Sequence, residues 1–135
     1  METDRTVSAV WQQGWLCHVT AGEFSMTVDE PESVPGGTGL GPQPTELLLA
    51  AVSSCFTLAL SHAARKRSIE LDHLSVDATG YYDGPSFRSI RIAASLGCDP
   101  DEVEGLMRSA ERVCYVTNTL RGGAELIFEG TSTRE

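Results

Sequence analysis

The chain is 135 residues long, with 41% hydrophobic and 21% charged residues. These values are typical of globular proteins, so we expect a single domain over residues 1–135 and exclude an intrinsically disordered chain. Ten basic residues against nineteen acidic ones give a formal net charge of −9. This charge argues against nucleic acid and anionic membrane surfaces as partners, because both are bound through their phosphates.

The N-terminal segment is acidic and polar, so it does not resemble a signal peptide, which needs a basic start and an apolar stretch. The longest apolar segment, residues 47–60, is interrupted by Ser53, Ser54 and Thr57. It falls short of the roughly 18 apolar residues that a membrane span requires. We therefore expect a cytoplasmic protein with no membrane partner, in which the cysteines stay reduced.

The N-terminal third of the chain predicts three short strands followed by a long loop. Apolar residues alternate with polar or small ones along residues 7–11 and 24–28, and a third strand is predicted between them at residues 15–20. Residues 31–44 then contain four prolines and four glycines. A loop of this length in a compact domain is typically either mobile or functional.

The segment 45–68 predicts a helix that is buried on most of its faces. Pro44 and Glu46 suit the first turn of a helix, where a fixed φ costs nothing and a carboxylate faces the positive end of the dipole. Residues 65–67 are basic, as suits the last turn. The sequence between these ends is apolar almost all round, which is typical of an enclosed helix.

The C-terminal half predicts a hairpin, a second helix and a final strand. Residues 74–83 and 90–96 alternate in polarity on either side of a turn. Asp99 and the following Pro100 are typical of a helix start, and the helix has an apolar stripe that reaches Cys114. Residues 125–129 predict the last strand. The order βββ-α-ββ-α-β indicates an α+β fold with one enclosed helix.

Two of the four cysteines fall on inward-facing positions of the two predicted helices. Cys55 lies in the middle of the enclosed helix, and Cys114 lies on the apolar stripe of the second one. If the helices face each other, a sulfenic acid on one thiol can be resolved as a disulfide by the other. The alternative is that both are small core residues, as free cysteines usually are, and we interpret Cys17 and Cys98 in that way.

The sequence predicts no metal and no cofactor. The cysteines are separated by 38, 43 and 16 positions, and the three histidines show no ligand spacing. His62 follows Cys55 by about two helical turns, roughly 10 Å, which is too far for it to act as the base of that thiol. The glycine-rich loop lacks the Gly-Lys-Ser/Thr ending of a phosphate-binding loop.

Two segments resemble motifs of the OsmC/Ohr family, the osmotically inducible and organic hydroperoxide resistance proteins. They are GPQPTELLLAAVSSCFTLAL, which ends at Leu60, and AERVCYVTNTLRG, which spans Ala110–Gly122. The resemblance implies an intertwined α+β homodimer with active sites at the subunit interface. It also implies a thiol-dependent peroxidase that reduces organic hydroperoxides in oxidative-stress defence, with Cys55 as the peroxidatic and Cys114 as the resolving cysteine.

The reaction cycle implied by the resemblance has three steps. The Cys55 thiolate attacks the distal oxygen of the peroxide and releases an alcohol, and Cys114 then attacks the resulting sulfenic acid. An external dithiol, of lipoyl type or thioredoxin-like, reopens the disulfide.

The chain departs from the family pattern at the groups that activate the peroxidatic thiol. In the family's peroxidases an Arg of the N-terminal loop does this, held by a Glu at the position where Thr45 stands here. The matching N-terminal stretch carries Gln12 and Gln13 and no basic residue. Glu46 and Arg121 are the candidate helper residues. The alternative function is a catalytically weak small-molecule binder or thiol redox sensor on the same fold.

Overall fold

The computed structural model describes residues 4–134 and confirms the α+β class. Its five strands are β1 (Ser8–Gln13), β2 (Leu16–Ala21), β3 (Phe24–Val28), β4 (Leu74–Asp83) and β5 (Ser86–Leu96). Its three helices are α1 (Pro44–Lys66), α2 (Pro100–Val113) and α3 (Tyr115–Gly122). The strands form two antiparallel sheets, one of β1–β2–β3 and one of β4–β5.

The contacts within the described chain divide it into two compact units, with the boundary between Ala50 and Ala51. The single domain expected from the sequence stays a prediction.

In the first unit, the loop that follows β3 is ordered around the carboxylate of Asp29. Asp29 is 1% exposed, and it accepts hydrogen bonds from the backbone N–H groups of Glu30 (2.7 Å), Thr38 (3.3 Å) and Leu40 (3.2 Å), and from the Thr38 hydroxyl. The Thr38 hydroxyl contributes most to lowering the pKa of Asp29; burial opposes this, and the backbone donors reinforce it. One buried carboxylate therefore ties together Glu30, Thr38 and Leu40 of the Pro- and Gly-rich loop.

In the second unit, one face of α1 forms the core. The buried residues of α1 are Val52, Phe56, Ala59, Leu60, Ala63 and Ala64. All of these except Val52 form one cluster with Leu106, Ala110 and Cys114, with side chains from β4 and β5 at the edge of the cluster. The prediction that α1 is buried on most faces is wrong for the single chain, because Leu58 is 71% exposed. The described elements of one chain cover only one face of this helix.

Among residues 4–134, α1 is the one helix whose length and composition would allow it to cross a membrane. Its most apolar 18-residue window has a mean hydropathy of 1.7, and 33% of that window is buried in the protein. The sequence pattern predicted that this segment is too short for a membrane span, because only the apolar residues 47–60 were counted and Ser53, Ser54 and Thr57 were treated as interruptions. The core described above requires the same apolar composition, because five residues of α1 are buried in it.

The structure of the C-terminal region departs from the prediction after α2. The start of α2 is as predicted, with Asp99 accepting a hydrogen bond from the Asp101 N–H at 3.0 Å. Residues 115–122, however, form α3, and residues 125–129 form no strand. A strand needs a neighbour to satisfy its backbone groups, and in the described chain β4 and β5 pair only with each other. The apolar side chains of Leu126, Ile127 and Phe128 are exposed.

Candidate active site

The structure brings Cys55 and Cys114 together within the core of the second unit. Cys55, on α1, packs against the buried cluster that contains Cys114. Its side chain is also among the groups that lower the pKa of Cys114. Cys114 is fully buried, whereas Cys55 is half-buried, and both are free thiols. The two cysteines selected from the sequence therefore lie within reach of each other.

Cys114 occupies the junction between two helices. It is the C-cap of α2 and the N-cap of α3, with an extended backbone (φ −75°, ψ 107°). Its N–H donates to the carbonyl of Ala110 at 3.0 Å, and its carbonyl accepts from the N–H of Asn118 at 3.0 Å. The break in helical conformation places its side chain at the start of α3. The unpaired N–H groups and the positive dipole end of a helix favour a thiolate at that position.

The surroundings of Cys114 favour its ionised form. Burial alone would raise the pKa of Cys114. The hydroxyl and N–H of Thr117, the thiol of Cys55 and the N–H of Val116 act in the opposite direction and outweigh burial, so the pKa lies below the ordinary value. A negative charge on Cys114 is therefore stabilised by these neighbours, the Cys55 side chain among them.

A cavity of about 390 Å³ lies one helical turn from both cysteines. Val52 precedes Cys55 by one turn of α1, and Thr117 follows Cys114 by one turn of α3. The walls are mostly apolar, and Arg121 supplies the positive charge among them. The lining residues are Val52, Phe87, Ser89, Ile90, Ile92, Thr117, Leu120 and Arg121. The alternating pattern of β5 predicts a strand, but it does not mark Phe87, Ser89, Ile90 and Ile92 as residues of a cavity wall.

The two candidate helper residues have different surroundings. Glu46 is exposed, and its Oε1 accepts a hydrogen bond from the N–H of Gln43 at 2.9 Å, which closes the first turn of α1. Arg121 lines the cavity beside the cysteines, where its Nη1 donates to Asn118 Oδ1 at 3.2 Å and its Nη2 lies 3.9 Å from Glu111 Oε1. Of the two candidate helper residues, Arg121 lines the cavity and Glu46 does not.

The other two cysteines lie in different surroundings. Cys17 is on β2, opposite Trp11 of β1 and Val28 of β3. Cys98 precedes α2, and its sulfur lies 3.5 Å from the carbonyl of Asp99. In the part of the chain that the structure describes, no three His, Cys, Asp or Glu side chains form a group able to hold a metal.

The family model described as OsmC-like protein matches residues 37–129. A solved OsmC-like protein of Mycoplasma pneumoniae shares the fold, with a TM-score of 0.80 at 20% identity over 91% of each chain. A solved organic hydroperoxide resistance protein of Elizabethkingia anophelis is 27% identical, with a TM-score of 0.69 over 91% of this chain and 93% of that one. An uncharacterised protein of Haloferax volcanii is 25% identical over 123 residues, 88% of this chain and 89% of that protein. With a family model matching well over half of its length, the chain belongs to the OsmC-like family.

Proposed function

We propose that the protein is a cytoplasmic, homodimeric, thiol-dependent peroxidase that reduces organic hydroperoxides. In this proposal Cys55 is the attacking cysteine and Cys114 the resolving one. The observation that carries the proposal is the packing of Cys55 against the buried cluster that contains Cys114, whose pKa is lowered, one helical turn from a mostly apolar cavity. Membership of a family with relatives named organic hydroperoxide resistance proteins supports the same class of substrate.

The first chemical step uses Cys114 as the proton acceptor for Cys55. Because the negative charge is stabilised on Cys114, the Cys55 proton passes to it as Cys55 attacks. A bond forms between the Cys55 sulfur and the distal peroxide oxygen, and the O–O bond breaks. The alkoxide that leaves takes the proton from Cys114 and departs as an alcohol, so Cys55 becomes a sulfenic acid and Cys114 is again a thiolate.

The second step forms the disulfide and the third removes it. The Cys114 thiolate attacks the sulfenic sulfur of Cys55 and displaces hydroxide, which is released as water. An external dithiol, of lipoyl type or thioredoxin-like, then reduces the disulfide by exchange and is itself oxidised. The cycle requires no metal and no cofactor, and two electrons pass from the dithiol to the peroxide.

The cavity beside the cysteines favours an organic peroxide over hydrogen peroxide. Phe87, Ile90, Ile92 and Leu120 offer apolar walls to an alkyl or aryl group. Burial of apolar area stabilises the larger substrate by about 25 cal/mol per Å², and hydrogen peroxide has no such area to bury. Arg121 is proposed as a positioning residue for the polar end of the substrate.

The proposed homodimer is supported by the apolar side chains that one chain leaves uncovered. Leu58 on α1 is 71% exposed, and Phe128 in the C-terminal segment is 89% exposed. Apolar surface of this kind is typical of an interaction surface. The cytoplasmic location is supported by four free cysteines, which fit a reducing compartment.

The second candidate function is a catalytically weak binder or thiol redox sensor. It is favoured by Glu46, whose carboxylate closes the first turn of α1, and by Thr45 at the family's Glu position. Under this hypothesis Cys55 reacts with peroxide no faster than an ordinary thiol does.

The experiment that tests the proposal is consumption of cumene hydroperoxide and hydrogen peroxide by the pure protein, with dihydrolipoamide as reductant. We expect consumption of the organic peroxide to be the faster of the two and to be abolished in Cys55→Ser. Cys98→Ser is the matched control, since it removes a half-buried thiol outside the pair, and it should retain full activity. Unchanged activity in Cys55→Ser would contradict the proposal. Slow turnover, equal to that of a free thiol, would favour the binder or sensor.

A further inference from the structure

The second unit contains a basic cavity that the proposed peroxidase cycle does not use. It has a volume of about 420 Å³ and lies where the C-terminal ends of α1 and α2 meet. Its lining residues are His62, Ala63, Lys66, Arg67, Ser109, Arg112 and Val113. They include three of the ten lysines and arginines of a chain with a net charge of −9. The described lining residues include no carboxylate, so the local charge is opposite to that of the chain.

Among residues 4–134, none of these three cations has a carboxylate partner. Within residues 4–134, the ion pairs of the second unit are Arg108–Glu104 and Arg121–Glu111. Arg67 donates from Nη2 to the Ser109 hydroxyl at 2.6 Å, which ties the end of α1 to α2. Its guanidinium also lies over Gly105, where a Cβ atom would come within 2.5 Å of Nη1. Arg67 is therefore held in place, whereas its charge is not neutralised.

These cations are not needed as caps for the helix ends. At the end of α1, Ser68 N–H donates to the Arg65 carbonyl at 3.1 Å and Ile69 N–H to the Ala64 carbonyl at 2.9 Å. With Ser68 in the left-handed region (φ 56°), this is a Schellman motif, in which backbone donors satisfy the last carbonyls. Cations also gain energy from the helix dipole, by about 0.3–1 kcal/mol each. When three cations are grouped around one cavity, their mutual repulsion opposes this favourable interaction with the helix dipole.

We propose that this cavity binds a phosphate-bearing small molecule. A phosphate offers at least three oxygens, enough to contact the guanidinium groups of Arg67 and Arg112 and the ammonium group of Lys66 together, whereas a single carboxylate has two. Ala63 and Val113 leave apolar wall for the organic part of the ligand, and the volume lies in the range of small-molecule sites. This inference is independent of the peroxidase proposal.

The test uses inorganic phosphate as the probe. Binding is measured by isothermal titration and by the shift of Tm, against chloride and acetate at the same ionic strength. Lys66→Gln and Arg112→Gln each remove one cavity charge without removing a hydrogen bond between side chains. Arg65→Gln is the matched control, because it removes the same charge from the same helix end but does not line the cavity.

We expect saturable binding of phosphate, a Kd raised about tenfold by either cavity variant, and a Kd nearly unchanged in Arg65→Gln. Melting curves in chloride check that each variant is folded. The inference is overturned if phosphate gives no saturable signal, or if Arg65→Gln weakens binding as much as the cavity variants do. An equal response to acetate also overturns it, because phosphate would then not be distinguished from a carboxylate.

Discussion

Cys55 packs against the buried cluster that contains Cys114 and lowers the pKa of the Cys114 thiol, although 59 positions separate the two residues in the chain. This contact joins the middle of α1 to the junction of α2 and α3. Because α3 begins at Cys114, the donors Val116 and Thr117 also lower the pKa of Cys114. A negative charge is therefore stabilised on the buried cysteine of the pair. This arrangement makes Cys114 both the base and the resolving group in the proposed cycle.

The first prediction concerns the rate of the sulfenic acid step. In an ordinary two-cysteine cycle, Cys114→Ser would leave this first step unchanged. Here a serine cannot accept the Cys55 proton, so we expect the single-turnover rate of Cys55 oxidation at pH 7 to fall by about tenfold or more. The rate is measured by rapid mixing with cumene hydroperoxide, followed by chemical trapping of the sulfenic acid.

The pH profile separates this role from a structural one. The pKa of Cys114 is lowered, so its thiolate forms as the pH rises through a value below that of an ordinary thiol. The rate in the natural protein should rise over that range, and in Cys114→Ser the rise should move to higher pH. Identical profiles in the two proteins would contradict the role of Cys114 as a base.

The second prediction concerns Thr117, the largest contributor among the donors to Cys114. Thr117→Val removes the hydroxyl at nearly constant volume, so we expect the pKa of Cys114 to rise and the first step at pH 7 to slow severalfold. The Thr117 hydroxyl also donates to the Cys114 carbonyl at 3.4 Å. Thr119→Val is the control, because it removes the same kind of bond, from the Thr119 hydroxyl to the Tyr115 carbonyl, on the exposed side of α3. Thiol titration by ultraviolet absorbance measures the pKa. Equal effects of the two variants would contradict the role of the Thr117 hydroxyl in lowering the pKa of Cys114.

The third prediction concerns the left-handed residue that ends α1. Ser68 has a φ of 56°, a conformation that glycine adopts without steric cost. We expect Ser68→Gly to raise the free energy of unfolding by about 0.5–1 kcal/mol, because the strain on a residue with a Cβ is of order 1 kcal/mol. Ser68→Ala keeps the Cβ and should give no gain. Urea denaturation measures both variants, and a destabilised Ser68→Gly would refute the prediction.

The fourth prediction concerns the pH dependence that arises from Asp29. Hydrogen bonds lower the pKa of Asp29 below 3.8 in the folded protein. The ionised carboxylate therefore adds stability at pH values above its unfolded pKa, and this is lost as the pH falls through the lower folded value. Asp29→Asn should lower Tm at pH 7, with a difference that shrinks as the pH falls through the lowered folded pKa of Asp29.

The control for Asp29 is Asp77→Asn, which changes an exposed carboxylate of β4. Its Tm should follow that of the natural protein across the same pH range. A constant Tm difference for Asp29→Asn at every pH would mean that the loop depends on side-chain shape and not on charge.

The fifth prediction concerns the proposed homodimer. Leu58 is 71% exposed on α1, on a helix whose opposite face forms the core. We expect Leu58→Glu to shift the protein from dimer to monomer, because a charge buried without a partner opposes association, whereas Leu58→Met should remain dimeric. Light scattering after size-exclusion chromatography measures the mass. A monomeric natural protein would contradict the homodimer directly.

Much of the fold could be predicted from the sequence because its signals are local. The alternation of residues 74–83, the cap at Asp99 and the apolar run of α1 each depend on a few neighbouring residues. Helix α3 was not predicted, because Val116, Thr117 and Thr119 are β-branched and therefore weak helix formers. That helix forms after the break at Cys114, whose carbonyl accepts the N–H of Asn118.

The candidate site could be predicted only in part. The positions of Cys55 and Cys114 on two apolar helix faces predicted that the thiols face inward. Their contact, by contrast, depends on how the helices pack, and no local pattern encodes it. The same holds for the basic cavity, since Arg67 and Ser109 are 42 positions apart and meet only in the fold. The basic residues 65–67 predicted the end of a helix. Nothing in the sequence predicted that Arg112 lies beside them.

The measurement that most directly tests the central claim is the fate of the two thiols after one equivalent of peroxide. Fully reduced protein is mixed with cumene hydroperoxide, quenched with an alkylating agent, digested and analysed by mass spectrometry. The account predicts a disulfide between Cys55 and Cys114, with Cys17 and Cys98 alkylated, and a trapped sulfenic acid on Cys55 in Cys114→Ser. Oxidation spread over all four cysteines, or a Cys55 that remains alkylated, would contradict it.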